Sequence, residues 1–283
     1  MTGVPRFGAL AALVLCAAPL AAQSTPSADP VPVHDTFTVE STSLGEARPI
    51  NVYTPPGYHE AHAVRFPVLY MPDGGIDEDF PHVVKTVDSL IALGAIRPVL
   101  VVGIPNTQRR RDLTGPTRVA SDSAIAPKVG GSAAFRQFIG EELVPVVQAR
   151  YRVTDERAIV GESLAGLFVL ETFLDEPTLF RHYVALDPSV WWNAGAVVDS
   201  APARLAALPA GPRTLFLATS NVAEIADGTA RIAALLESLS PAGLHWQYTP
   251  RPDLTHATIF RAVGPSALAS ALRELKAPAA PTP

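Results

Sequence analysis

Cysteine is almost absent: Cys16 alone occurs in 283 residues. It lies in a stretch that reads as a removable leader, so the mature chain is expected to hold none. Disulfides, thiolate catalysis and cysteine-bound metals are then excluded. The residue before it is Leu15, bulky where a lipid-anchored cysteine follows a small one. Charge is sparse, at 17%, and has no basic excess: 22 Lys and Arg face 27 Asp and Glu, for a net charge of −5. A nucleic-acid partner would need a basic face. The concentrated positive run is Arg109, Arg110 and Arg111, and Asp112 follows it directly. Long apolar runs are lacking as well. Phe7 to Ala18 is too short for a spanning helix, which needs about 20 residues. With Arg6 before it and Leu20-Ala21-Ala22 after it, it has the form of an export signal over residues 1–22. A retained N-terminal anchor is the alternative. The expected location is the periplasm or the outside of the cell.

What is present suits one large folded unit. Hydrophobic residues make up 48%, and a domain near this size buries roughly three quarters of its unfolded surface, enough to dispense with disulfides. Residues 23–33 are rich in Ser, Pro and Ala and read as a flexible lead-in, and 277–283 as a disordered Pro/Ala tail. With no internal repeat between them, residues 34–276 read as a single domain. Phe37–Ser41 and Pro49–Tyr53 alternate and predict an antiparallel hairpin. The segments Pro67–Met71, Val99–Ile104, Ala158–Val160, Tyr183–Leu186 and Thr214–Ala218 are unbroken apolar runs, as strands buried on both faces require. Helical stretches near 80–94, 132–150, 164–175, 226–239 and 258–275 separate them. The fold class is α/β, a mostly parallel central sheet with an antiparallel N-terminal hairpin and helices on both faces. Sites in such sheets lie at the carboxyl ends of the strands.

The segment Ile159-Val160-Gly161-Glu162-Ser163-Leu164-Ala165-Gly166-Leu167 runs from a strand through a small-residue turn directly into a helix. A turn that sharp strains its central residue and pushes the Ser163 hydroxyl out above the sheet, as a nucleophile requires. The bland alternative is a serine that merely caps a helix. With this elbow the chain order is serine, acid, histidine. His182, His245 and His256 follow Ser163. His256 lies in a loop after the last strand and before the last helix, where an imidazole can hang over the sheet as general base. His182 starts an apolar strand, and His245 begins the strand His245-Trp246-Gln247-Tyr248. The acid is expected after the strand ending at Ala218. Glu224 is the first choice and Asp227 the second, and a Ser–His dyad without an acid stays open. The oxyanion donors are expected to be the Leu164 amide and, from the loop Pro72-Asp73-Gly74-Gly75, the amide of Gly74, with Asp73 or Gly75 as alternatives. His59 and His62 have metal-like spacing but sit in a Pro/Gly-flanked loop with no further ligand. They read as a solvated loop, and no metal or cofactor is expected.

From about Phe37 to Leu275 the chain resembles the putative-esterase family of α/β-hydrolases. That group contains enterochelin-esterase-like siderophore hydrolases, S-formylglutathione hydrolase, feruloyl esterases and mycolyltransferases. The most specific segment is Gly103-Ile104-Pro105-Asn106-Thr107, followed by Arg109 to Arg111 and Asp112-Leu113-Thr114. Leu69 to Gly74, Gly130-Gly131-Ser132, Glu142 to Pro145 and Asp187-Pro188-Ser189-Val190-Trp191-Trp192 support it. The resemblance implies the α/β-hydrolase fold, Ser163 as nucleophile and His256 as base. Where the family usually reads G-H-S-x-G-G, this chain has Glu162 and Ala165. Glu162 sets a carboxylate beside the serine and is expected to disfavour anionic substrates. Asn106, Arg111, Trp191 and Trp192 are candidate substrate contacts. An internal Arg–Asp pair and core packing are the respective alternatives for the arginine and the tryptophans. The expected activity is hydrolysis of a small-molecule carboxylic ester, siderophore-type or another acyl ester, through an acyl-enzyme. Acyl transfer by the same residues and a non-catalytic binding protein are the competing classes.

Overall fold

A computed structural model describes residues 29–60, 62–125 and 128–273. The stretches read as leader and C-terminal tail, and most of the one read as lead-in, lie outside the described residues. The strands are β1 (Asp35–Ser41), β2 (Glu46–Tyr53), β3 (Phe66–Pro72), β4 (Leu100–Ile104), β5 (Val153–Glu162), β6 (His182–Leu186), β7 (Arg213–Thr219) and β8 (Leu244–Pro250). The helices are α1 (Phe80–Ala92), α2 (Arg109–Leu113), α3 (Ala120–Ile125), α4 (Ser132–Gln137), α5 (Val144–Arg150), α6 (Leu164–Asp175), α7 (Trp192–Ala206), α8 (Ala223–Leu239) and α9 (Ile259–Leu272), with a π-helical turn, Phe138–Leu143, joining α4 to α5.

One sheet holds the strands in the order β1-β2-β4-β3-β5-β6-β7-β8. β2 is antiparallel to both neighbours, and every pairing from β4 to β8 is parallel. The expected hairpin is therefore β1–β2, and the unbroken apolar runs form the parallel part. Alternation along each buried strand feeds two cores. Val68 and Tyr70 of β3 join the cluster under α4 to α8, while Leu69 and Met71 join the one under α1 and α9. α6 is buried along almost its whole length, from Leu164 to Leu174. That is why its sequence is apolar all round rather than striped. α7 went unread in the sequence. It opens on three consecutive left-handed residues, Asn193, Ala194 and Gly195, and carries Pro202 inside, so its periodicity is broken where a helix should start.

Two contacts fix segments the site depends on. Asp29, in the stretch read as lead-in, is held by Lys85 (2.7 Å) and Arg261 (2.6 Å). Arg48 has a fully buried side chain that donates to Asp112 (2.6 Å), Glu46 (2.9 Å), Thr107 (2.7 Å) and the carbonyl of Pro105 (3.0 Å). It ties the β4–α2 loop to β2. Breaking a buried pair by removing one partner leaves its charge uncompensated. Arg48→Ala is expected to destabilise the fold by about 3–5 kcal/mol, a fall in Tm of roughly 10 °C at this size, measured by thermal unfolding. No helix among the described residues is long and apolar enough to cross a membrane.

Candidate active site

β5 ends at Glu162 and α6 begins at Leu164, leaving Ser163 alone at the corner with φ 61° and ψ −121°. No L-residue adopts that conformation without strain. The elbow holds it because the surroundings leave no slack. Ser163 N–H donates to Leu186 O at 3.0 Å, and its carbonyl accepts from Leu167 N–H at 2.9 Å and Ser189 N–H at 3.0 Å. The small residues are needed for contact. A Cβ on Gly161 would meet the Ala165 backbone at 2.6 Å, and one on Gly166 would meet Leu186 O at 2.7 Å.

His256 arrives from β8. Its loop folds back over the end of β7, with Arg251 N–H on Thr219 O at 2.7 Å and Asn221 N–H on Leu254 O at 2.9 Å. That brings His256 Nε2 to 3.0 Å from Ser163 Oγ. His182 is the first residue of β6 and His245 the second of β8, at the opposite end of the sheet, and His182 is bonded to Thr214.

The carboxylate on His256 is Asp187, which the sequence reading did not choose. Its Oδ2 lies 2.5 Å from Nδ1. Asp187 is the first residue after β6, fully buried and left-handed at φ 44°. Ser220 anchors it, the N–H to Oδ1 and the hydroxyl to Oδ2, both at 2.7 Å. Burial alone would push this carboxyl up, but the bonds from His256 and Ser220 outweigh it and hold it below the ordinary value. In return the Asp187 bond raises His256, partly opposed by burial and aided by the nearby Glu162. Glu224 and Asp227 are exposed on the first turns of α8. Strands lie about 4.8 Å apart. The end of β6 is one spacing from Ser163, and the end of β7 is two. The signal for Asp187 was the one used for Glu224, a carboxylate just past an apolar run, applied one strand too late.

Other expected contacts also move. The Gly74 N–H is spent on Ile104 O at 3.1 Å, and a Cβ at that residue would meet the backbone of β4 at 2.2 Å. Gly74 therefore packs the loop against β4 and offers no oxyanion donor. Gly75 N–H donates to Glu78 Oε2 at 2.7 Å. Of the three loop amides, Asp73 N–H is the one without a partner among the described residues. The Leu164 amide is in the first turn of α6, where helix N–H groups have no partner inside the helix. Arg111 is an internal pair, held by Glu46 at 2.7 Å and Asp112 at 2.6 Å. The arginine near the site is Arg109, clamped in two bonds of 2.7 Å to Asp73. Asn106 spends its side-chain N–H groups on Asp73 (2.5 Å) and Glu78 (2.7 Å), so it shapes the β3 loop. Trp192 is core, with its indole N–H on Gly115 O at 3.0 Å, whereas Trp191 is half exposed beside it. Glu162, Asp187 and His256 form a group whose donor atoms lie within 4.8 Å of one another. The 2.5 Å between His256 and Asp187 is a hydrogen bond, too short for two groups flanking an ion that each sits about 2 Å away.

A serine on a strand–helix elbow, a histidine on the last loop and a carboxylate between them, at the carboxyl edge of this sheet order, define an α/β-hydrolase fold. The chain belongs to the putative-esterase family, whose model matches residues 41–225. Among curated proteins it is 37% identical over 109 residues to ferri-bacillibactin esterase BesA of Bacillus subtilis, covering 34% of this chain and 38% of that one. It is 30% identical over 193 residues to the siderophore triacetylfusarinine C esterase of Aspergillus fumigatus, covering 63% of each. The matches thus span from 38% to 63% of the length of these relatives. Among solved structures, an IroE-like serine hydrolase from Shewanella oneidensis superimposes with a TM-score of 0.75 at 26% identity, over 86% of this chain and 79% of the other. Siderophore hydrolase EstB from Aspergillus nidulans, at 18% identity and a TM-score of 0.72 over 90% of this chain and 99% of that one, shares the fold.

Proposed function

We propose that the protein is an exported serine esterase that hydrolyses a small-molecule carboxylic ester, of siderophore type or another acyl ester, through an acyl-enzyme on Ser163. The observation that carries this reading is the unbroken path Asp187–His256–Ser163 at 2.5 and 3.0 Å, ending on a strained elbow serine. The names of the relatives, which are siderophore esterases, support the substrate class. The leader read over residues 1–22 supports export.

Ser163 Oγ attacks the ester carbonyl while its proton passes to His256 Nε2. Asp187 holds the Nδ1–H tautomer and stabilises the imidazolium. The tetrahedral oxyanion is met by the Leu164 amide and by the unpartnered Asp73 amide. Collapse expels the alcohol, which takes the proton from Nε2. Water then gives a proton to His256 Nε2 and attacks the acyl carbonyl; the Ser163 Oγ–acyl bond breaks, the carboxylic acid leaves, and Oγ takes the proton back from Nε2. Trp191, half exposed two residues after Ser189, borders the acyl group.

The test is hydrolysis of a short p-nitrophenyl ester together with labelling by a fluorophosphonate. Turnover with labelling of Ser163 is expected. Labelling with turnover only when an alcohol acceptor is added would mean acyl transfer. Neither would mean a binding protein.

The rate should also depend on pH in a set direction. Only neutral His256 can take the serine proton. Its pKa is raised, so the base is lost at a higher pH than an ordinary histidine would lose it. The acid limb of kcat/KM is expected above the usual 6.5. A pH–rate profile with its limb below that value would contradict the Asp187–His256 pairing.

A further inference from the structure

The imidazole has a second acidic neighbour. Glu162 is the last residue of β5, and Asp187 directly follows Leu186, the β6 residue in register with Glu162. The two carboxylates thus leave adjacent strand ends side by side and face the same nitrogen. Asp187 Oδ2 is at 2.5 Å from His256 Nδ1 and Glu162 Oε1 at 3.5 Å. Their support differs. Asp187 receives two bonds from Ser220. Glu162 has a side chain only 16% exposed, and among the described residues His256 is the only group that reaches its carboxylate. Burying a carboxylate with no anchoring donor is expensive unless a cation pairs with it or it stays protonated. Here the cation forms during turnover.

We propose that Glu162 is a second carboxylate partner of His256 Nδ1, a positioning residue that shares the imidazolium with Asp187 and sustains part of the reaction when Asp187 is removed. This rests on the reading of Ser163 and His256 as nucleophile and base. The other charged groups around the pair are Asp73 and Asp79, from the loop before α1, and Arg109 of α2. Burial lifts the Glu162 carboxyl to about 8, with Asp79 and Asp73 adding to the rise and His256 and Arg109 opposing it. Glu162 is therefore largely neutral at pH 7 and ionised at pH 9. Its charge, once formed, favours the protonated imidazole. No bond is made or broken by Glu162; it acts through the ring.

The experiment compares kcat/KM against pH, with a short p-nitrophenyl ester, for wild type, Glu162→Gln, Asp187→Ala and the double variant. Alanine is used at 187 because it leaves Nδ1–H free to turn to Glu162. In Glu162→Gln the acid limb is expected to stay in place, because Glu162 is already protonated there, while kcat/KM at pH 9 falls about threefold, a half-unit share of the imidazolium support, since a one-unit shift corresponds to a factor of ten. Asp187→Ala is expected to retain a residual rate that climbs about tenfold from pH 7 to 9 as Glu162 ionises. The double variant should be flat over that range and lower at its top. An unchanged ratio of the pH 9 rate to the pH 7 rate in Glu162→Gln overturns the proposal. Superimposed profiles for Asp187→Ala and the double variant also overturn it. If Asp187→Ala does not fold, as a circular-dichroism melt would show, the pH 9 to pH 7 rate ratio of Glu162→Gln decides alone. A failure of the nucleophile reading is separate, because it shows as activity in Ser163→Ala whatever stands at 162.

Discussion

Ser163→Ala is expected to lower kcat by about three to six orders of magnitude and to abolish fluorophosphonate labelling, while the melting temperature stays near that of wild type. The size follows from how such groups act. A nucleophile and its base work as a unit, and losing either leaves only the contribution of binding and the oxyanion donors. His256→Ala should therefore be about as inactive, and the double variant no worse. The unchanged stability follows from the contacts of the hydroxyl. Among the described residues its hydrogen-bond partners are His256 at 3.0 Å and Ser189 at 3.4 Å, and alanine bears the same backbone strain as serine. Ser163→Gly separates strain from chemistry. Glycine relieves a conformation that costs on the order of 1–3 kcal/mol. Against this stands its greater freedom in the unfolded chain, about 0.5–1 kcal/mol. Ser163→Gly is thus expected to be as dead as Ser163→Ala but to melt at or above wild type. An ordinary buried Ser→Gly change would melt lower. Retained labelling at the wild-type rate in Ser163→Ala would remove Ser163 from the mechanism.

The sequence was most legible where local physics decides. Unbroken apolar runs mark strands covered on both faces, and each of those runs lies in the parallel part of the sheet. The elbow was legible because the close approaches at Gly161, Ala165 and Gly166 admit few residue types. His256 was legible because only a loop at a carboxyl edge can hang a ring over Ser163. The carboxylate partner of His256 was not, because the ends of both β6 and β7 carry a carboxylate nearby, and the choice between them needs the strand order. Neighbours in the sheet are a tertiary fact, and β6 proves to lie directly beside β5. The amide of Gly74 failed for a related reason. Glycines permit close approach, and here the approach is to the backbone of β4 rather than to a substrate. Arg111 and Asn106 sit in the most specific motif of the chain, yet their partners are internal. A motif marks what a fold must keep, and loop geometry is as much a part of that as ligand contact.

Asp187→Asn is expected to lower kcat by about four orders of magnitude at pH 7 with the elbow intact, and Glu224→Gln to stay within a few-fold of wild type. In the wild type, Asp187 accepts from His256 Nδ1–H, which leaves Nε2 as the acceptor facing Ser163 Oγ. Ser220 uses its N–H and its hydroxyl on the same carboxylate. An asparagine must keep its carbonyl oxygen toward the Ser220 N–H, because that backbone donor cannot turn away. Its amide nitrogen then faces His256 and donates. Nδ1 becomes the acceptor, the ring proton moves to Nε2, and the base presents a donor to the serine. A wrong tautomer of this kind, with geometry preserved, is what makes the loss so large. Glu162 cannot compensate well at pH 7, since its carboxyl is largely protonated there. Glu224 lies exposed on α8, so removing its charge changes a solvated surface and no bond to the ring. Steady-state kinetics on the two variants, with melting curves for each, decide between the strand ends. A collapse in Glu224→Gln with Asp187→Asn near wild type would return the acid to the end of β7. It would require the His256 loop to sit otherwise than the Arg251–Thr219 and Asn221–Leu254 bonds hold it.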